Sequence, residues 1–291
     1  MEKKYKLTEE TINVNGRTLH RIEALKDFAN IKKGEKGGFI EKESNLSQNG
    51  DCWVYDNAKA YDDAIVLNDA SIYDNAVVCG EAMVCNSAKV CTNAIVNDIA
   101  VVYGNAEVND YAMVYGNAKV FGNAKVSGNA AVFGDAKVCD HAKVRNEAKV
   151  RDDVVVCDNA WVCGNAWVGG NAKVSGNAVV SDGAVVFGNA EIFDNAAIYD
   201  NAAIYDNAEV CGDAKVHDNA RVYDNAVVFD NAEIYGNAQV YDKAEVCDNA
   251  EIYGNARVYC NTVVCDNAEV CGYSKLFGNA VIRDNTKVCE D

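Results

Sequence analysis

The chain has 291 residues, with 27 Lys and Arg against 44 Asp and Glu, a formal charge of −17. Such acidity disfavours direct binding to nucleic acid, no apolar run reaches the length of a membrane span, and the start Met1-Glu2-Lys3-Lys4-Tyr5 lacks the apolar stretch of a secretory leader. A cytoplasmic protein with neither membrane nor nucleic acid as partner is therefore expected.

Residues 1–38 form the first predicted region. The run from Ile12 to Ile22 alternates on both sides of Asn15-Gly16, the strongest short signal for a β-hairpin. Lys32 to Gly38 supplies a turn, and Ile40, Leu46 and Cys52 follow in the phase of the later small residues but are bulkier, so irregular first coils are expected. The hairpin is read as a cap, because an uncovered coil offers free N–H and C=O groups to any other edge.

Residues 39–291 form the second predicted region. From Ala58 to Thr286 a short side chain, nearly always Ala, recurs every sixth position, and two residues later comes Val, Ile, Leu or, once, Ala60. In Gly122-Asn123-Ala124-Lys125-Val126-Ser127, Ala124 and Val126 point inward and Lys125 outward, a short strand of period two. Gly122-Asn123 is the corner, built from the residues that best tolerate positive φ. A helix is excluded, since apolar positions spaced two and then four apart gather on no single helical face. Proline is absent, as suits a coil whose strands all donate ladder hydrogen bonds.

Three six-residue sides make a triangular coil, and in this the chain resembles the hexapeptide-repeat left-handed β-helices. The GNAxV and DNAxV units, with Gly37-Gly38-Phe39-Ile40 and Asp51-Cys52-Trp53-Val54-Tyr55, are most similar to the YdcK-type β-solenoid family, often catalogued as transferases. The resemblance implies an all-β, single-stranded, left-handed parallel β-helix of about 13 coils, with about 18 residues and ~4.8 Å per coil. It also implies acyl transfer as an activity, usually with a histidine base on a loop beside a subunit cleft. The unbroken phase leaves no place for such a loop, and the histidines are His20, His141 and His217. His141, flanked by Lys143, Arg145, Lys149 and Arg151, is the weak catalytic candidate.

Eleven of the thirteen cysteines share the slot after the inward aliphatic with Tyr, Phe and Ser. They read as reduced and structural, because stacked parallel side chains orient a bridge poorly. No C-x-x-C occurs, so zinc, other metals and cofactors are not expected.

Two surfaces stand out as binding candidates. Ile65, Val77, Met83, Ile95, Val101 and Met113 fill outward slots that hold Lys or Glu elsewhere, and an apolar stripe of this kind needs a cover, either the hairpin or a second chain. Lys143, Arg145, Lys149 and Arg151 lie one predicted coil from Trp161 and Trp167, and indoles beside cations commonly form hot spots. An aromatic ladder is expected over Phe187, Tyr205, Tyr223, Tyr241, Tyr259 and Phe277. Columns of Asp, such as Asp230, Asp248, Asp266 and Asp284, should repel along their length.

The C-terminal pattern runs through Val288 with no cap visible, which suggests either association through that edge or its protection by the charges of Glu290 and Asp291. The reading favoured by these features is a non-enzymatic structural or protein-binding solenoid that self-associates or docks a protein. Alternatives are an acyltransferase and an acidic DNA mimic that inhibits a nucleic-acid-handling protein.

Overall fold

A computed structural model describes residues 2–291 and divides the chain into two compact units, residues 1–141 and 142–291. Each is a parallel β-solenoid with three sheets, one per face.

In the first unit, β1 (Tyr5–Val14) and β2 (Arg17–Ala24) form the expected antiparallel hairpin. Asn15 and Gly16 turn it with φ of 51° and 83°, the left-handed pair that matches the strand twist. β3 (Lys36–Ile40) pairs antiparallel with β2 and parallel with Lys59–Ala60, carrying the hairpin into one face of the solenoid. Gly37 and Gly38 make that approach possible, since a Cβ on either would lie 2.5 Å from a backbone oxygen, of Val54 and Ala58 respectively.

The hairpin is fastened by buried polar contacts as well as by strand pairing. Lys4 is buried, and its Nζ donates to the carbonyls of Gly50 at 3.1 Å and Cys52 at 2.9 Å. Tyr5 Oη donates to Leu46 O at 2.7 Å, and Trp53 packs edge-on against Phe28 with ring centroids 5.3 Å apart.

Beyond β3 the strands are two residues long, and each outward residue pairs with the one 18 positions on, as in Lys59, Val77, Ile95, Met113 and Ala131. The inward Ala and Val side chains, for example Ala94 and Val96, are fully buried. The first coil is irregular, with a displacement that the phase alone misplaces. Ile40 and Leu46 pair with Ala60 and Val66 rather than with the small-residue slots. The corner from Leu46 to Trp53 takes up the two extra residues before the spacing of 18 begins at Trp53 and Ser71.

Positive φ falls on the first corner residue, Asp or Gly in most coils, as at Asp98 (57°) and Gly122 (70°). The following Asn stays right-handed, and its amide reaches the next coil: Asn105 Nδ2 donates to Asn123 Oδ1 at 3.1 Å.

The second unit repeats this plan with three columns that begin Lys143–Trp161–Val179, Lys149–Trp167–Val185 and Val155–Lys173–Glu191. The stacked aromatic run forms over Tyr223, Tyr241, Tyr259 and Phe277, with centroids 4.8, 4.9 and 5.7 Å apart. A second ladder runs through Tyr199, His217, Tyr235 and Tyr253 at 4.7, 5.3 and 4.9 Å.

One C-terminal expectation is corrected. Cys271 and Cys289 are joined by a disulfide, so the cysteines are not all thiols. Their Cα atoms are 4.6 Å apart, within bridging distance, and the two residues face each other in register in the four-residue strands Glu269–Gly272 and Lys287–Glu290. The last coil is also tied to the one before it, with Lys287 paired to Glu269 and Glu290 N–H donating to Ser274 Oγ at 3.0 Å. Among the described residues, no helix is long and apolar enough to cross a membrane.

Candidate functional site

The six apolar residues of the first unit resolve into two columns on two faces. Val77, Ile95 and Met113 are strand neighbours on one, and Ile65, Met83 and Val101 on the other. Two corner residues extend them: Ile99 precedes Ala100-Val101, and Tyr111 precedes Ala112-Met113. Exposure is 38% at Ile65, 37% at Ile95, 40% at Met113, 50% at Ile99 and 64% at Tyr111. Ile99 and Tyr111 occupy corner positions that most coils give to Asn, and the sequence reading missed both.

The hairpin covers only the start of this surface. Leu19 packs with Phe39, Tyr61 and Cys79, and Ile12, Val14 and Val77 join at the margin. Arg17 pairs with Asp62 and sits 5.9 Å over the Tyr61 ring. The cover therefore reaches Val77 and leaves Ile95 and Met113 exposed, so folding back of the hairpin answers the expectation in part.

In the second unit the pairing brings Lys143 beside Trp161 and Lys149 beside Trp167, as the spacing of 18 anticipates. Lys143 Nζ and Arg145 Cζ lie 4.5 and 4.3 Å from the Trp161 ring. Lys149 Nζ and Arg151 Cζ lie 5.7 and 4.8 Å from that of Trp167. Arg151 is also 5.2 Å from Phe187, whose ring fills the space above Gly169, where a Cβ would meet it at 2.3 Å. Both indoles thus already hold cations, and the layer stabilises the coil through cation–π attraction.

His141 is an exposed corner residue of the first unit, whereas Lys143, Arg145, Lys149 and Arg151 belong to the second. His217 is stacked between Tyr199 and Tyr235, with Nε2 2.9 Å from Glu233 Oε1. His20 Nδ1 contacts Thr8 O at 3.0 Å within the hairpin.

Residues 250–266, a stretch of the second unit that carries the three strands Glu251–Ile252, Arg257–Val258 and Val263–Val264, match the family description "YdcK Beta solenoid repeat". That stretch is similar to a YdcK-type repeat. A segment of 48 residues is 44% identical to the protein named "Uncharacterized acetyltransferase YdcK" of Escherichia coli (strain K12). That segment covers 16% of this chain and 15% of the relative, so the chain matches only a small part of the YdcK protein's length. The matched stretch carries the corner and paired inward residues that recur along the chain, which are features of the fold.

Proposed function

We propose that this YdcK-related β-solenoid is a protein-binding scaffold that docks another protein chain through the apolar faces of its first unit. The carrying observation is the exposure of Ile95 and Met113, at 37% and 40%, in strand slots that hold Lys or Glu in other coils. Water-facing apolar neighbours on a rigid sheet gain free energy only when covered, and the backbone beneath them is already fixed, so docking carries little ordering cost. The double substitution Ile95→Lys with Met113→Lys tests this directly. Sedimentation and pull-down from the native host should show loss of a self-associated or mixed species with unchanged circular dichroism. Identical assembly in both proteins would refute the reading.

A second reading is acetyl transfer, favoured by the printed name of the relative. It predicts that acetyl-coenzyme A raises the melting temperature and that His141→Ala abolishes turnover. An unshifted melting curve at millimolar acetyl-coenzyme A would remove it.

A further inference from the structure

Stacking assembles a ligand set that spacing along the chain conceals. Cys247 and Cys265 stand one coil apart in the slot after the inward aliphatic. With Asp248 they bring two sulfurs and a carboxylate oxygen within 4.8 Å of one another. A search for C-x-x-C finds nothing here, because the coil rather than a local turn creates the pair.

The surroundings are organised around this cluster. The backbone N–H of Asp266 donates to Asp248 Oδ2 at 3.1 Å and fixes the carboxylate. Cys247 Sγ lies 3.6 Å from the same oxygen, and Cys265 Sγ lies 3.8 Å from Ile282 O. Charged groups that act on the sulfurs include Asp230, Asp248 and Asp266, and Arg283 acts on Cys265 with the opposite sign. Burial, followed by the charges of Asp248 and Cys265, pushes the Cys247 thiol up to about 12, and burial with Asp266 and Asp248 raises that of Cys265. A cation at this point would offset each of those repulsions.

We propose that Cys247, Cys265 and Asp248 bind a thiophilic divalent cation of the zinc class. Two thiolates and one carboxylate supply three ligands of a tetrahedral set, and water takes the fourth position. Binding exchanges two thiol protons for one metal ion, with no change of oxidation state, so affinity rises with pH. The N–H of Asp266 holds the third ligand in place. Cys211, in the same slot, lacks this arrangement, since the positions one coil either side of it are Phe193 and Phe229.

The test uses the full-length protein, reduced, with cadmium as the spectroscopic probe. Wild type should show a thiolate-to-cadmium ultraviolet band. C247S and C265S should each lose about one equivalent of tight binding, D248N should bind at least about tenfold more weakly, and C211S should match wild type. Zinc added to the wild-type chain should also protect Cys247 and Cys265 from alkylation, a measurement that needs no variant. Equal cadmium binding by C265S and wild type would overturn the proposal. An equal loss in C211S would identify an adventitious ion only. Recovery of Cys247 joined to Cys265 by a disulfide, in protein isolated without oxidant, would assign the pair to a bridge instead.

Discussion

Asp242 accepts a hydrogen bond from the backbone N–H of Cys260, one coil onward, at 3.0 Å. The same link joins Asp158 to Gly176, Asp218 to Gly236 and Asp266 to Asp284, at 3.0, 3.0 and 2.9 Å. The acidic columns, expected to repel, also supply a row of acceptors for N–H groups that the two-residue strands leave out of the ladder. Asp242 also holds φ at 61°. Asp242→Ala should therefore destabilise the protein by ~1–3 kcal/mol, through a lost acceptor and a strained corner. Asp242→Asn should cost much less, and urea unfolding of the two variants measures the difference.

Gly169 leaves the gap into which Phe187 leans to reach Arg151. In Gly169→Ala the new methyl would overlap the ring, so Phe187 must swing away and Arg151 loses one of its two aromatic neighbours. A loss of ~1–3 kcal/mol in unfolding free energy is expected, with a changed fluorescence spectrum from Trp167. An unaltered spectrum and midpoint would show that the ring has no such role.

His217 serves as a flat ring in a ladder otherwise made of tyrosines. His217→Ala should cost ~0.5–1.5 kcal/mol for each stack removed, whereas His217→Phe should retain most of that stability while losing the contact with Glu233. Thermal melts of both variants separate stacking from hydrogen bonding.

Alkali should weaken the fold. Burial pushes Cys211 up to about 11 and Cys247 and Tyr61 up to about 12, from ordinary values of 9.0 for the thiols and 10.0 for the phenol. The unfolded chain therefore releases these protons first. The stability they contribute is complete below pH 9 and falls as pH rises through 9 to 12. Urea midpoints at pH 7 and pH 10.5 should show the decline. Alkylation of Cys247 at pH 8 should be far slower than that of a free thiol, because little thiolate is present.

The repeat was legible because one residue per slot sets one backbone state. Ala and Val at two-residue separation give the inward face, and Asp-Asn or Gly-Asn gives the corner. The hairpin followed from Asn15-Gly16, and the pairing of Lys143 with Trp161 followed from counting 18. Counting fails where the chain leaves the period, so Ile40 and Leu46 were placed two residues out of register. Phase also cannot say which corner residue takes positive φ: Asn was as good a candidate as Asp until the interstrand hydrogen bonds distinguished them. The spacing of 18 makes neighbours of Cys271 and Cys289 as it does of Cys247 and Cys265, and so does not say which pair is bridged. Ile99 and Tyr111 were missed because the corners were read only for their turn chemistry.

The spacing of 18 between hydrogen-bonded neighbours has a consequence for how such a chain changes length. Within the second unit, removal of residues 191–208 would join Ala190 to Glu209 and bring together two surfaces of the same kind, each Ala and Val still meeting its counterpart. Removal of residues 191–196 alone would instead turn every later side chain onto a neighbouring face and part Val179 from Ala197. Gains and losses of whole turns are thus nearly neutral to folding, and the number of coils is free to follow the size of whatever the surface must span.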